Sequence, residues 1–406
     1  MKPLEGLRVI EFANYVAAPA TSKIMAMWGA DVIHVESFDG DVFRFNNALY
    51  KLPLDRDDAN PCFDISSSNK RYVAIDLRTA EGKRAMDKLL STADVFISNI
   101  RNKSLEKLGL TYEQIREKYP RLIYGYLSGY GEKGADKDTA GYDYTSYCAR
   151  GGILAEMADS AGDAPAYGVS AYGDLQASVC LGFGILAALM GREKTGKGDK
   201  VSASLYRTAA YMMNLNIVAS KFGYRGPFTR KEAITPSMTT YPTSDGRWFQ
   251  LCAPMYNRDF NKIMRAIGRE DLTDSALYCD LETVRAAGRN AEVVAIIEAE
   301  TRKHDVEYWM RVLKEHDIAC EKAYLWEEIA EDPQAWENGF YQMVDYPDGR
   351  KIQVFNDPVA LDSVGIPEFK PAKGIGYDTA DVLREVGYSD EEINEMAAAK
   401  AIAVHE

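Results

Sequence analysis

Short apolar strands alternate with helical segments through the first third of the chain, and this alternation constrains the fold more than any other feature. The strands are predicted at 7–13, 31–36, 72–77, 94–99 and 122–127. Helix signals stand between them: Pro19 begins one helix, Gly29 ends it, and Thr111 forms a capping box with Gln114. Because a helical crossover returns the chain in the same direction, the pattern predicts an α/β fold with a doubly wound parallel sheet.

The pattern changes after residue 225, where Gly- and Pro-containing sequence precedes a different set of elements. Two short strands, at 238–241 and 248–253, flank a turn at 244–247. Helical sequence then follows at 257–267, 282–302 and 305–316. This order predicts a small α+β domain over 236–325.

The last part of the chain carries elements that suit the parallel sheet again. A strand-like run lies at 352–354, and helical sequence lies at 380–386. We therefore predict that residues 345–406 return to the large domain, whose first part spans 1–225. The predicted architecture is one large doubly wound domain together with a smaller α+β domain.

Charge and cysteine content exclude several classes of protein. Acidic side chains outnumber basic ones among the 406 residues, which gives a net charge of -13 at pH 7. Nucleic-acid phosphates and anionic membrane surfaces repel such a chain, so neither is predicted as a partner. The six cysteines form no C-x-x-C pair, which argues against a metal site. The sequence Met1–Gly6 has no apolar stretch typical of a secretory signal, so we predict a cytoplasmic protein.

The segment 175–190 is almost entirely apolar, with Gln176 and Ser178 as its polar side chains. It falls short of the about 20 apolar residues of a membrane span, so we predict a helix buried on nearly all sides. Asp174 directly precedes this segment. At a helix start an aspartate commonly caps free backbone N–H groups. The alternative is a nucleophilic carboxylate at the mouth of a pocket, and the segment alone leaves both open.

The loop after the first strand bears on the kind of ligand. A nicotinamide-dependent dehydrogenase carries a G-x-G-x-x-G turn there, whereas this chain has Asn14–Pro19. A dehydrogenase is therefore supported by the alternation of strands and helices alone. The four histidines leave few candidate bases for a Ser-His-Asp mechanism. A non-catalytic scaffold is a further alternative.

Several motifs occur in an order that resembles one family of enzymes. Gly173-Asp174 is followed by the apolar segment and then by Glu193-Lys194-Thr195-Gly196-x-Gly198. Shorter motifs agree with it: Ala18-Pro19, Trp28-Gly29-Ala30-Asp31, Asn69-Lys70-Arg71, Ala93-Asp94-Val95 and Gly141-Tyr142-Asp143. In their order and spacing these motifs resemble the class III CoA-transferases, and the resemblance covers most of the chain.

This resemblance implies a mechanism in which Asp174 is the nucleophile. In the family an aspartate attacks an acyl-CoA, and an aspartyl anhydride and an aspartyl-CoA thioester form in turn. Coenzyme A enters as the acyl-CoA substrate, together with a small carboxylic acid, and neither a metal ion nor a nicotinamide is implied. The resemblance also implies an interlocked homodimer, in which each subunit threads through a ring in the other.

The same motif positions imply further site residues. Val16 and Ala17 lie on the loop after the first strand, where a backbone N–H would stabilise the oxyanion. Formyl-CoA transferases of the family carry Gln in place of Val16, which argues against formate and oxalate chemistry. Tyr142 matches a tyrosine near the thioester, and a packed aromatic residue is the alternative. Five residues match family positions near the CoA nucleotide and phosphates: Arg44, Lys70, Arg71, Asn99 and Lys107. For each basic residue among them, a solvated surface charge is the alternative.

Longer stretches resemble one subgroup, the (R)-2-hydroxyacyl CoA-transferases of amino-acid-fermenting anaerobes. They include Tyr15-Val16-Ala17-Ala18-Pro19, Gly129-Tyr130-Gly131-Glu132-Lys133-Gly134 and Gly268-Arg269-Glu270-Asp271-Leu272. This subgroup passes CoA from a 2-enoyl-CoA to a 2-hydroxy acid such as phenyllactate or 2-hydroxyisocaproate, for a separate 2-hydroxyacyl-CoA dehydratase. Acyl-CoA racemases share the fold and are the runner-up. They carry His in place of Tyr142, whose pKa of about 10 makes it a poor base near neutral pH.

Overall fold

The computed structural model describes residues 2–50, 60–158, 163–166, 168–226 and 229–405. Its strands are β1 (Arg8–Phe12), β2 (Asp31–Glu36), β3 (Arg71–Ile75), β4 (Val95–Ser98), β5 (Ile123–Ser128), β6 (Lys200–Ser204), β7 (Thr240–Pro242), β8 (Trp248–Leu251), β9 (Cys320–Lys322), β10 (Tyr341–Asp345), β11 (Lys351–Phe355) and β12 (Ile402–Ala403). Its α-helices are α1 (Ala17–Met27), α2 (Pro61–Ser67), α3 (Ala80–Ser91), α4 (Asn102–Leu108), α5 (Tyr112–Ile115), α6 (Ile153–Glu156), α7 (Tyr172–Thr195), α8 (Leu205–Met212), α9 (Asn214–Ala219), α10 (Tyr256–Ala266), α11 (Leu281–Ala286), α12 (Asn290–Thr301), α13 (Val306–Glu315), α14 (Trp326–Glu331), α15 (Pro333–Glu337), α16 (Thr379–Glu385) and α17 (Asp390–Ala398). A π-helical segment covers Asp143–Ala149, and 3-10 turns cover Val42–Tyr50, Ser220–Phe222, Arg230–Glu232 and Glu270–Leu272.

Seven of the described strands form one sheet, in the order β12-β3-β2-β1-β4-β5-β6. Each neighbouring pair is parallel except β12 with β3, which is antiparallel. The chain runs outward from β1 through β2 to β3, then crosses to β4 on the other side of β1 and continues to β5 and β6. The predicted doubly wound parallel sheet is thus confirmed. The reversal lies between β1 and β4, where open sheets of this kind form a crevice at the carboxyl ends of the strands.

Apolar strand residues are buried on both faces of this sheet. Val9 and Ile10 are adjacent on β1 and therefore point to opposite faces, yet both are fully buried. On one face Met86 of α3 belongs to the same buried cluster as Ile10. On the other face Ile185 of α7 lies against Gly125 of β5, where an added Cβ would be 2.9 Å from its Cδ1. Helices thus cover both faces, which is why the parallel strands read as continuous apolar runs.

The chain divides into two compact units, each made of several segments. Unit 1 consists of Met1–Ile153, Gly168–Ile217 and Pro333–Glu406, and unit 2 consists of Leu154–Tyr167 and Val218–Asp332. Unit 1 carries the seven-stranded sheet and the β10–β11 hairpin. Unit 2 carries a three-stranded antiparallel sheet in the order β7-β8-β9, with α10 to α13 supplying helical residues of its core. The segment 154–167 belongs to unit 2, an assignment that the sequence pattern does not indicate.

Gly288 interrupts the helical sequence that was predicted as one element at 282–302. The structure has two helices there, α11 and α12. Gly288 lies between them with φ +64°, a left-handed conformation that glycine adopts without steric cost. Its N–H donates a hydrogen bond to the Arg285 carbonyl at 3.0 Å. The glycine thus ends α11 in the way that a left-handed residue commonly ends a helix.

The prediction that α7 is buried on nearly all sides is wrong for the single chain. One face is buried, and Ala177, Leu181 and Ile185 on it have no exposure to solvent. The opposite face is open, with Phe183 77% and Met190 69% exposed. An apolar composition shows that a helix avoids water, but it does not show which surface covers each face. By length and composition α7 is long and apolar enough to cross a membrane, a property that core helices of soluble proteins share.

Candidate active site

At the β1–β4 reversal, each of the two strands is followed at its carboxyl end by a loop, and these two loops are in contact. Asn14 lies in the loop after β1, and Asn99 directly follows β4. The Asn99 side chain accepts a hydrogen bond from the Asn14 N–H (3.0 Å) and donates one to the Asn14 carbonyl (2.7 Å). These bonds tie the two loops together, so Asn99 helps to hold the segment that carries Val16.

Val16 and Ala17 stand at the start of α1, Val16 as the N-cap residue and Ala17 as the first helical residue. Both side chains are buried. The first N–H groups of an α-helix have no partner inside the helix, and the helix dipole places partial positive charge there. The backbone at this helix start therefore offers the hydrogen-bond donors that a developing oxyanion needs.

Asp174 is the third residue of α7 and is not the N-cap of that helix. The N-cap residue is Ala171, which has φ +59° and makes no side-chain capping bond. The acceptor comes from another part of the chain, since the Gly173 N–H donates to Asp143 Oδ1 at 2.9 Å. Because Asp143 fulfils the capping role at this helix start, the structure does not support the N-cap alternative for Asp174.

The Asp174 carboxyl group lies in a poorly hydrated place. Burial raises its pKa to about 7, and the negative charge of Asp143 adds to that rise. Burial also raises the pKa of Asp143, against the opposing effect of the Gly173 and Tyr172 N–H groups. Asp143 Oδ2 has no hydrogen-bond partner among the described residues. Two perturbed carboxyl groups at one helix start are more typical of a reactive site than of a structural one.

Tyr142 links the starts of α1 and α7. It directly precedes Asp143, and its ring meets the Tyr15 ring edge to face with 5.8 Å between centroids. Tyr142 is 55% exposed, which does not fit the alternative of a packed aromatic residue. Ala171, at the start of α7, packs against a buried cluster that contains Val16. The structure therefore brings together four of the predicted site residues: Val16, Ala17, Tyr142 and Asp174.

This arrangement suits a carboxylate that acts as a nucleophile. One helix start presents the Asp174 carboxyl group, and a second helix start presents backbone N–H groups. The partial burial of the Asp174 carboxyl group limits its contact with water, and limited access of water protects a reactive acyl intermediate from hydrolysis. Among the described residues, no cluster of three His, Cys, Asp or Glu side chains is placed to hold a metal ion.

Two of the predicted CoA ligands, Arg44 and Lys70, are buried in ion pairs. Arg44 binds both carboxylate oxygens of Glu36 at 2.9 Å, and Lys70 Nζ lies 2.8 Å from Glu11 Oε2. Burial would raise the pKa of Glu11, but the Lys70 ammonium and the His34 ring lower it to about 2. Such paired, buried cations are typical of a protein core, and their contact with CoA phosphates stays a prediction.

The other two basic residues lie in different surroundings. Arg71 stands at the amino end of β3, where it binds Asp31 and Glu385 at 2.7 Å each. The candidate site is at the carboxyl ends of the strands, so the structure does not bring Arg71 to it. Lys107 is exposed in the last turn of α4, the helix that follows β4. Its position fits a phosphate contact and a solvated surface charge equally well.

Asp143 and Tyr147 are residues of this site that the sequence reasoning missed. A Cβ added to Gly173 would lie 2.1 Å from Tyr147 Cγ and 2.5 Å from Asp143 Oδ1, so both side chains press on the α7 backbone. The Tyr147 hydroxyl also donates to Gln176 Oε1 at 2.6 Å. The motif that ends in Asp143 was the available signal, but a cap that acts on a helix thirty residues away is visible only in three dimensions.

Comparison with known proteins agrees with this geometry. The model of the CoA-transferase family III matches residues 4–375. The chain belongs to this family. The resemblance deduced from the motifs is thus confirmed, and the protein is a family III CoA-transferase that uses CoA as a thioester substrate.

Two curated relatives align with nearly the whole chain. The (R)-2-hydroxy-4-methylpentanoate CoA-transferase of Clostridioides difficile is 37% identical over 399 residues, 98% of this chain and 99% of the relative. The cinnamoyl-CoA:phenyllactate CoA-transferase of Clostridium sporogenes is 36% identical over 402 residues, 98% of this chain and 97% of the relative. A formyl-CoA:oxalate CoA-transferase of Escherichia coli O157:H7 is 29% identical, covering 98% of this chain and 99% of the relative.

Solved structures show the same fold. A CAIB/BAIF family protein from Brucella suis superimposes with a TM-score of 0.80 at 24% identity, covering 95% of this chain and 99% of that chain. Rv3272 from Mycobacterium tuberculosis superimposes with a TM-score of 0.79 at 26% identity, covering 94% and 99%. These similarities support the doubly wound architecture of this family III CoA-transferase.

Replacing Asp143 with Asn is expected to shift the pH dependence of this CoA-transferase. The amide oxygen can still accept the Gly173 N–H, so α7 keeps its cap, but the like charge beside Asp174 is lost. A nearby negative charge raises the pKa of a carboxyl group, so its removal lowers the pKa of Asp174. The acidic limb of kcat/KM against pH should therefore move to lower pH. An unchanged limb, or a shift to higher pH, would contradict this electrostatic coupling.

Proposed function

We propose that this enzyme transfers CoA between an acyl-CoA and a 2-hydroxy acid, with Asp174 as the nucleophile. The observation that carries the proposal is the placement of Asp174. Its carboxyl group lies at a helix start that Asp143 already caps, and it shares the site with the N–H groups at Val16 and Ala17. A poorly hydrated carboxylate that is not needed as a helix cap is suited to covalent catalysis.

The proposed reaction consists of four successive acyl transfers. The Asp174 carboxylate attacks the thioester carbonyl, the C–S bond breaks, and a mixed anhydride and CoA thiolate result. The thiolate attacks the aspartyl carbonyl, which releases the donor acid and leaves an aspartyl-CoA thioester. The acceptor carboxylate attacks the carbonyl of that thioester, the C–S bond breaks, and a second anhydride and the CoA thiolate result. The thiolate then attacks the acceptor's carbonyl, which yields the new acyl-CoA and restores Asp174. The backbone at Val16 and Ala17 stabilises the oxyanion of these steps.

The substrates we propose are a 2-enoyl-CoA donor and an (R)-2-hydroxy acid acceptor with an apolar side chain. The two curated relatives at 36–37% identity are named for 2-hydroxy acids, one with a branched aliphatic and one with an aromatic side chain. The exposed rings of Tyr15 and Tyr142 give the site an apolar border that suits such side chains. A 2-hydroxyacyl-CoA product would then be consumed by a dehydratase acting on 2-hydroxyacyl-CoA esters.

We further propose that the enzyme works as a homodimer in the cytoplasm. The open face of α7 supports this assembly, because it presents large apolar side chains that a single chain leaves in contact with water. The same is true of the following helices, where Tyr211 is 74% and Leu215 80% exposed. Contiguous exposed apolar side chains are typical of interfaces between subunits. In this proposal the α7 face is covered by the second subunit.

Trapping of the covalent intermediate tests the proposed function. Incubation with an acyl-CoA and hydroxylamine is expected to convert the Asp174 side chain to a hydroxamate, because an aspartyl thioester or anhydride is far more electrophilic than a carboxylate. Peptide mass spectrometry should show a peptide heavier by one NH group. The label should appear only after acyl-CoA is supplied.

The control for this experiment is hydroxylamine with free CoA and a carboxylic acid, which provides no activated acyl group. A racemase or a dehydrogenase forms no acyl bond to the protein and would give no label. If the active enzyme, trapped repeatedly during turnover, never carried a modification at Asp174, the proposed mechanism would be abandoned.

A further inference from the structure

We propose that Asp41 is a positioning residue that holds the loop after β1 in the conformation that presents the Val16 and Ala17 N–H groups. This inference rests on the proposed function, in which those groups stabilise the oxyanion. Asp41 follows β2 and is fully buried. It is separated from the loop by more than twenty residues of sequence, and it meets the loop only through the fold.

Asp41 Oδ1 accepts two backbone hydrogen bonds. One comes from the Tyr15 N–H at 3.0 Å and the other from the Phe43 N–H at 2.9 Å. Charge-assisted bonds of this kind are stronger than bonds between neutral groups. A single carboxylate oxygen thus connects the turn after β2 with the residue that directly precedes Val16.

Tyr15 needs such a restraint because its backbone is strained. Its φ is +65°, in the left-handed region that a bulky side chain rarely adopts. This strain would relax if the surrounding structure did not oppose it. Relaxation of Tyr15 would rotate the following peptide groups, which are those at the start of α1. The bond to Asp41 opposes this rotation at the residue where it would begin.

A buried charge cluster keeps Asp41 itself in place. The cluster consists of six residues: Glu11, His34, Glu36, Asp41, Arg44 and Lys70. The Asp41 N–H donates to Glu36 Oε2 at 3.0 Å, and Arg44 binds that same carboxylate. His34 Nε2 lies 4.0 Å from Asp41 Oδ2, while His34 Nδ1 lies 2.5 Å from Glu11 Oε1. Asp41 is thus held through its N–H and its Oδ1, whereas Asp41 Oδ2 and His34 Nε2 have no hydrogen-bond partner among the described residues.

None of the proposed acyl-transfer steps uses these six side chains, and burying ionisable groups costs free energy that ion pairs and hydrogen bonds have to offset. The loop is also held by the Asn99–Asn14 pair and by Ser66 Oγ, which donates to the Tyr15 carbonyl at 3.3 Å. Three elements therefore converge on two consecutive loop residues. Asp41 is the one among them that bonds the N–H of the strained residue.

The test measures how fast acyl-CoA forms the adduct at Asp174 in a single turnover. Asp41→Ala removes the acceptor and is expected to slow adduct formation about 100-fold, the effect of misplacing a catalytic group by about 1 Å. The KM for acyl-CoA should change little, because the loop N–H groups act on the developing oxyanion. Asp41→Asn keeps an amide oxygen for both N–H donors and should restore most of the rate.

A double-mutant cycle separates positioning from general damage to the fold. Glycine adopts a positive φ without strain, so Tyr15→Gly should make the loop less dependent on its restraint. The slowing caused by Asp41→Ala should therefore be smaller in the Tyr15→Gly background. If Asp41→Ala fails to fold, Asp41→Ser replaces it, since its short hydroxyl stays polar but does not reach the Tyr15 N–H.

Asp94→Ala is the matched control. Asp94 Oδ2 accepts the Arg8 N–H at 2.9 Å at the opposite, amino end of β1, and its Oδ1 pairs with Arg192 in the last turn of α7 at 3.0 Å, so its loss perturbs the same strand and the far end of α7 but not the loop. Adduct formation at the wild-type rate in Asp41→Ala, or equal slowing in Asp41→Asn, would overturn the positioning role. If the wild-type enzyme itself formed no adduct, the proposed function would fail instead.

Discussion

Asp174→Ala is expected to abolish CoA transfer, with a loss of many orders of magnitude, since the covalent route itself is removed. The residue is not the cap of α7, and alanine is the best helix former at its position in the first turn. The variant should therefore fold and should retain binding of acyl-CoA. Transfer is measured by the appearance of a second CoA ester from a supplied acid, and binding by calorimetry.

The difference in stability between this variant and the wild-type protein should depend on pH, in a direction that follows from the raised pKa of Asp174. The pKa of Asp174 is raised to about 7 in the folded protein, so its ionisation is more favourable in the unfolded chain. The group therefore lowers the free energy of unfolding as pH rises from the unfolded pKa toward 7. Asp174→Ala should remove this effect, and its melting temperature relative to wild type should increase between pH 5 and pH 8.

Glu193→Ala provides the control for a lost carboxylate on the same helix. Glu193 lies near the other end of α7 with a largely exposed side chain, so the change should spare transfer. Near-normal transfer by a folded Asp174→Ala protein would disprove the role of Asp174. An unchanged melting difference across the pH range would instead disprove the raised pKa.

Gly173→Ala should be almost as damaging to activity, although it adds only one methyl group. The new Cβ would lie 2.1 Å from Tyr147 Cγ and 2.5 Å from Asp143 Oδ1, far inside normal contact distances. The start of α7 must then move, and with it the Asp174 carboxyl group. We expect transfer to fall by at least about 100-fold. The free energy of unfolding should fall by about 1–3 kcal/mol.

The matched control is Gly191→Ala, near the other end of α7, where no described atom lies within 4 Å of an added Cβ. That change should leave transfer intact and stabilise the helix by about 0.5–1 kcal/mol. Chemical denaturation and steady-state kinetics of both variants give the comparison. Equal activity of Gly173→Ala and wild type would show that the α7 start tolerates displacement and would weaken the site geometry.

The alternating strands and helices were predictable from the sequence, because buried parallel strands appear in it as continuous apolar runs. The strand predicted at 31–36 is β2, and the helix predicted at 80–91 is α3, because apolar runs and caps mark both. The exposure of Phe183 was not predictable. A helix without a polar face looks the same in a sequence whether its own chain or a second subunit covers it.

Residues of the candidate site were predictable only where they lie in a motif that resembles the family. Asp174, Val16 and Tyr142 were identified from their motif positions, and the structure brings them together. Asp143 and Asp41 act through backbone N–H groups of residues far away in sequence, at Gly173 and Tyr15. Such bonds depend on which loops meet in space, and a sequence pattern carries no record of them. For the same reason the sequence did not show that Arg44 and Lys70, which match family positions near the CoA phosphates, are buried in ion pairs.

The antiparallel pairing of β12 with β3 has a consequence for synthesis of the protein. The edge of β3 is covered by residues 402–403, and its Ala74 N–H donates to Thr379 Oγ1, a bond between residues 305 positions apart. On the ribosome the six parallel strands are complete roughly 200 residues before their last partner emerges, a delay of about 10–40 s at ordinary elongation rates. Throughout that interval β3 presents an unpaired edge to other nascent chains. High-level expression, which brings many nascent chains together, should therefore favour aggregation. Slower translation initiation or co-expression of chaperones should raise the yield of soluble protein.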